Sequence, residues 1–139
     1  MTDDLASARQ ALDDPDGDVR AQAALRLAER DDPHALEALI RTIDDGAGPN
    51  HVDITPAVTA LGDMGERALP ALIEPLGAED ELTRLHAQRA LEGAIQSRHG
   101  GAEDPTRAEL IDIGYAYDDA PEARAAAIDR LRQTFKGAP

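Results

Sequence analysis

The chain contains no cysteine and no tryptophan, and its aromatic residues are Tyr115, Tyr117 and Phe135 alone. Without cysteine there can be no disulfide, no thiolate metal site and no thiol nucleophile. With aromatics at 2%, the 42% hydrophobic share rests on Ala, Leu, Ile and Val. Ala and Leu lose little entropy in a helix, whereas strands favour β-branched and aromatic side chains, so the composition points to closely packed helices. Basic charge is scarce too. The 14 Lys and Arg stand against 28 Asp and Glu, a net charge of −14 that repels a phosphate backbone and argues against a nucleic-acid partner. Lys136 is the single lysine, and the bias to Arg and Asp fits a GC-rich genome and a salt-rich cytoplasm alike. Long apolar runs are missing: none nears the ~18 residues of a membrane span. The start, Met1-Thr2-Asp3-Asp4, is acidic where a signal peptide is basic. The expectation is a cytoplasmic, monomeric protein of one domain, residues 1–139, without membrane contact.

What the chain does contain is a repeat. Arg20-x-x-Ala23-x-x-x-Leu27, Arg84-x-x-Ala87-x-x-x-Leu91 and Arg124-x-x-Ala127-x-x-x-Leu131 each place an alanine and a leucine four apart on one helix face. Ile54-x-x-Ala57-x-x-x-Leu61 keeps the apolar pair without the arginine. The steps between copies, 34, 30 and 40 residues, fall where helical-repeat solenoids lie. A second apolar pattern follows: Ala35-Leu36-x-x-Leu39-Ile40-x-x-Ile43 matches Ala68-Leu69-x-x-Leu72-Ile73-x-x-Leu76, with a weaker copy in Leu110-Ile111-x-Ile113. These are amphipathic helices with wide stripes. Asp32 and Asp104, each before a proline, read as N-caps, and Asp14-Pro15-Asp16-Gly17-Asp18 reads as a turn that caps the next helix. Pro56, Pro70 and Pro75 lie in or near helix patterns and predict a kinked or shortened second repeat. The pattern predicts helices over 3–13, 18–30, 33–44, 52–64, 66–76, 81–98, 105–117 and 121–136, no strand, and Gly-rich loops at 46–50 and 97–104. Leu27, Leu61 and Leu91 should lie in the core.

Two strings carry a family resemblance. Leu12-Asp13-Asp14-Pro15-Asp16-Gly17-Asp18-Val19-Arg20-x-x-Ala23-Ala24 and Ala60-Leu61-Gly62-Asp63-Met64-Gly65-Glu66-Arg67-Ala68-Leu69-Pro70-Ala71-Leu72-Ile73 resemble the HEAT-like repeats first associated with phycobilisome bilin lyases. The resemblance is strongest over roughly 5–95. It implies an all-α, right-handed α-solenoid of about four HEAT-like hairpins, in units 18–44, 52–76 and 81–117 between cap helices 3–13 and 121–136. It further implies that stacked second helices line a concave surface that binds another macromolecule. A lyase-like chaperone or accessory subunit that positions a small chromophore or cofactor is the alternative it leaves open.

Enzyme chemistry would have to rest on the same residues. Iron-dependent hydroxylases with related repeats hold their metals through His-Glu dipeptides, and none occurs here. His34, His51, His86 and His99 fall at different points of the repeat, which reads as ordinary surface or interhelix histidines, with no metal site and no cofactor. The paired aspartates fall at predicted helix ends, where capping explains them. The Asp14–Asp18 run lacks the downstream Glu of a calcium loop. No phosphate loop or nucleophile elbow is present, so no catalytic residue is expected. Arg20, Arg84 and Arg124 recur at one repeat position and read as ties between neighbouring units. By register, Glu37, Arg41, Glu74, Asp112 and Tyr115 face away from the core on the second helices, forming one strip for a protein partner with Tyr115 as its aromatic anchor.

Overall fold

The computed structural model describes residues 2–46 and 54–136, with side chains for 5–46 and 54–134. Among these are eight α-helices and no strand: α1 (Thr2–Ala11), α2 (Gly17–Glu29), α3 (Ala35–Arg41), α4 (Pro56–Met64), α5 (Leu69–Leu76), α6 (Glu81–Arg98), α7 (Glu103–Ile113) and α8 (Pro121–Lys136). A 3-10 turn, Gly65–Ala68, joins α4 to α5. The 47–50 part of the first Gly-rich loop, His51, and the first residues of the expected 52–64 helix lie outside the described residues.

Local chemistry explains where the helices begin. Within the expected Asp14–Asp18 turn, Asp16 caps α2: its carboxylate accepts the Asp18 N–H at 2.9 Å. Thr55 caps α4 by accepting the Val58 N–H at 3.2 Å, and Pro56 follows at the first position, where a missing N–H costs nothing. Pro56 therefore starts the helix and does not kink it. Pro70 likewise sits in the first turn of α5; Pro75 lies inside that helix, which stops one residue later. Two expected caps are displaced. Asp32 accepts the His34 N–H at 2.9 Å and shapes a turn, so α3 starts only at Ala35. Asp104 falls within the first turn of α7, whose N-cap is Ala102, and adds an acidic side chain at the positive end of the helix.

α2, α4 and α6 stack as one layer, α3 and α5 pack together as the other, and α1 leans on α2. Leu27, Leu61 and Leu91 are buried between the layers with Leu39, Leu69, Leu72 and Leu76. The chain is an all-helical α-solenoid. Its tightest crossing is α4 on α6, made possible by two glycines: a methyl on Gly93 would come within 3.0 Å of the Gly62 Cα, and one on Gly62 within 3.2 Å of the Gly93 Cα. The Ser97 hydroxyl donates to the Gly62 carbonyl at 2.8 Å across the same crossing.

Stacking changes after α6. α8 packs on α5 and α7 and makes at most marginal contact with α6. Side-chain supply accounts for this: α8 buries Ala127, Ile128 and Leu131, whereas α7 buries only Thr106 and Ile113 and leaves Ile111 70% exposed. The helix with the broader apolar stripe takes the contact with α5.

Candidate interaction surface

α3 and α5 each turn one side entirely to the core, through Ala35, Ala38 and Leu39 on one and Leu69, Leu72 and Leu76 on the other. Glu37 and Arg41 are exposed one helical turn apart on α3, and Glu74 is exposed on α5. Because α3 and α5 pack together, these side chains belong to neighbouring helices of one layer. Arg41 is engaged by the Asp13 carboxylate in the turn after α1; both groups are exposed, so the pair contributes little to stability.

The other two expected members of the strip are placed differently. Asp112 is exposed on α7, but α7 does not lie squarely against α5, so Asp112 does not continue the α3–α5 face. Tyr115 is a correction to the expected exposed anchor. It follows the left-handed Gly114 (φ 68°) at the end of α7, packs against the core, and its hydroxyl donates to the Leu76 carbonyl at 2.6 Å. Burial pushes its phenol upward, partly opposed by Arg84 and Arg124, so the hydroxyl stays a donor. The ring ties the α7–α8 connection to the end of α5.

The recurring arginines share one geometry. Arg20 makes a two-pronged pair with Asp45, both contacts 2.9 Å, and donates to the Asp14 carbonyl at 2.8 Å. Arg84 is buried and donates to three carbonyls: Ala78 at 2.9 Å, Glu79 at 2.7 Å and Tyr117 at 2.9 Å. Arg124 reaches the Asp119 carbonyl at 3.1 Å. Each guanidinium thus turns back to the connection before its own helix. Arg20 and Arg84 also hold the segment beyond the following helix. In the copy without arginine, Ile54 is left 45% exposed.

These paired helices, stacked in two layers with a recurrent arginine, match the family model described as HEAT repeats over residues 5–92. The chain belongs to the HEAT repeat family. The match ends within α6, the last helix of the regular stack. No curated protein and no solved structure matches the chain. HEAT repeats generally mediate protein–protein interaction, and members are typically non-enzymatic scaffolds.

Among the described residues of this HEAT-repeat chain, no group of three or more His, Cys, Asp or Glu could hold a metal ion, and no helix is long and apolar enough to cross a membrane. Two of the histidines, His86 and His99, lie beside carboxylates. His86 is fully buried, with Nδ1 2.6 Å from Asp44 Oδ1, and Asp44 also accepts the Thr83 hydroxyl at 2.5 Å. His99 pairs with Glu109 at 2.6 Å. Sequence reasoning did not single out the His86–Asp44 pair, although one signal was there: His86 stands four residues before Ala90 and eight before Ala94, in line with the buried stripe of α6.

Proposed function

We propose that this protein is a non-catalytic, cytoplasmic scaffold whose α3–α5 face binds a protein partner. The observation that carries the reading is the division of labour on these two helices: one side of each is consumed by the core, and the other presents Glu37, Arg41 and Glu74. Family membership supports a protein partner, and the net charge of −14 argues against nucleic acid. An acidic-leaning face steers a basic partner toward it, with association slowing as salt rises. With its hydroxyl tied to Leu76, Tyr115 serves the fold, and the strip is confined to α3 and α5. Arg20 and Arg84 act as ties that keep successive hairpins in register, so the face is held as a rigid unit.

Co-purification from the native host with mass spectrometry identifies what is retained. The identified partner is then titrated against Glu37→Lys/Glu74→Lys and against Gln22→Lys/Gln96→Lys, exposed positions on the first helices. Loss of binding in the first pair alone is the expected result. Binding that survives the first pair and fails with the second, both variants being folded, places the partner on the opposite layer. A coloured or small-molecule ligand, with no protein retained, favours the chaperone of a chromophore or cofactor instead.

A further inference from the structure

Where the corner between α2 and α3 faces the corner between α4 and α5, the surface opens into a cleft of about 500 Å³, within the ~300–1,000 Å³ range of ligand clefts. Its floor is apolar: Leu25 and Ala28 from α2, Leu36 from α3, and Ala60 and Met64 from α4 are all partly buried there. Its rim is acidic. Glu29, Asp31 and Asp63 are exposed around it, and Arg67 is the one cation among the described lining residues. Asp32 forms part of the inner wall, but its carboxylate is already engaged by Arg9 and the His34 N–H.

The repeat itself supplies a comparison at this mouth. The 34-residue step that carries Leu27 onto Leu61 carries Asp31 onto Gly65. Both have positive φ, 52° and 64°, and both end a first helix, but Gly65 has ψ −134° and leads α4 into a 3-10 turn. At Asp31 the closing bonds are Asp32 N–H to Leu27 O at 3.0 Å and Asp31 N–H to Ala28 O at 3.1 Å, the paired bonds of a helix end that ordinarily takes glycine. The second hairpin has glycine at the corresponding position. The first places an aspartate there, accepting backbone strain and adding a carboxylate at the mouth of an apolar cleft.

We propose that this cleft docks a partner-protein segment in which an aliphatic side chain is flanked by Lys or Arg. The aliphatic group covers Leu25, Leu36 and Met64, and the flanking cations meet Asp31 and Asp63. Charge complementarity selects the occupant: the floor alone fits any apolar group, whereas a rim of three carboxylates and one guanidinium disfavours an acidic one. The surface lies at the hairpin corners, apart from the α3–α5 face, and stands independently of it.

The test uses a fluorescein-labelled peptide with a Leu-Arg-Leu-Lys centre, titrated by fluorescence anisotropy at ~50 and ~150 mM NaCl, with backbone amide NMR shifts to locate it. The expected result is saturable binding with shifts confined to residues 25–36 and 60–67. Asp31→Gly/Asp63→Asn should weaken it about tenfold, while the matched pair Asp118→Asn/Glu122→Gln changes it less than about twofold. Asp31→Gly alone should raise Tm by about 2–4 °C as the strain is relieved, so weakened binding cannot be blamed on unfolding. Replacing both leucines of the peptide by serine should abolish binding. The proposal is overturned by no binding, by equal loss in the matched pair, by undiminished binding of the serine peptide, by shifts elsewhere, or by a fall in Tm for Asp31→Gly.

Discussion

A guanidinium offers five N–H donors in a rigid fork, and Arg84 points three of its bonds at backbone carbonyls from two different connections. Its truncation leaves the Ala78, Glu79 and Tyr117 carbonyls short of a donor in a place with little water. Arg84→Met should therefore cost about 2–3 kcal/mol, against under ~1 kcal/mol for Arg124→Met, whose single bond to Asp119 is exposed. Urea unfolding of the two variants at unchanged m-value decides it, and equal costs would show that the carbonyl ties do not explain the recurrence of arginine at this repeat position. Asp32 makes a pH prediction. The His34 N–H, and after it the Arg9 guanidinium, hold its carboxyl below the ordinary 3.8, against an opposing push from burial. A depressed folded pKa means that the ionised form stabilises the fold above the unfolded value, and that this contribution fades as pH falls from 3.8 through the lower folded value. Asp32→Asn should be less stable than the parent at pH 7 and should show a shallower loss of stability below pH ~4. A variant whose acid unfolding curve overlays that of the parent would remove Asp32 from the account.

Helices meet where their surfaces allow, and at the α4–α6 crossing the allowance comes from two missing side chains. Alanine is better than glycine inside a helix by about 1 kcal/mol, so propensity alone says that Gly93→Ala stabilises. Packing says the reverse: the added methyl would press to 3.0 Å on the Gly62 backbone, which cannot rotate away as a side chain would. The expected outcome is a lower Tm for Gly93→Ala, whereas an increase would show that the crossing relaxes easily. The period-3.6 pattern and its breakers made α6 legible in full, because Asp80 precedes an unbroken stripe and Gly100 and Gly101 follow it. α3 was expected to run over 33–44 and spans only Ala35–Arg41, since Asp32 bonds the His34 N–H in a turn and Thr42–Asp45 leave the helix while Ile43 stays buried. Burial was readable; the backbone state that delivers it was not. Tyr115 failed for another reason. Its position after Gly114 gave no hint of a carbonyl 39 residues away, and a contact of that reach depends on where α7 and α8 settle around α5. The candidate face was readable as far as its helices repeat the pattern, on α3 and α5, and was lost where α8 displaces α7.

At the scale of the whole molecule, the balance of charge decides which way salt acts. Even if each of the 14 basic residues neutralised one acid, 14 carboxylates would remain in excess on a chain of 139 residues. Surface pairs such as the half-buried Arg89–Glu92 and the exposed Arg132–Asp129 contribute about 0–1 kcal/mol each and weaken on screening. The surplus repulsion is also screened, over a Debye length that shrinks from ~30 Å at 0.01 M to ~10 Å at 0.1 M salt. Attraction is limited by the smaller population of cations, and the best-formed ties, Arg84 to carbonyls and His86 within the core, are partly shielded from ions by burial. Repulsion, by contrast, is spread over the outer surface, where ions reach it. Relief of repulsion therefore outweighs loss of attraction, because unfolding moves the carboxylates apart and the compact state bears more of the strain. Tm should rise as sodium chloride increases from ~0.01 to ~0.2 M, followed by circular dichroism at 222 nm, where this helical chain reports. Potassium chloride should act alike, since screening depends on ionic strength and not on the cation. A Tm that falls steadily across the range would mean that the ion pairs carry more of the stability than their exposure allows, and that self-repulsion of the −14 chain is not a term that governs its fold.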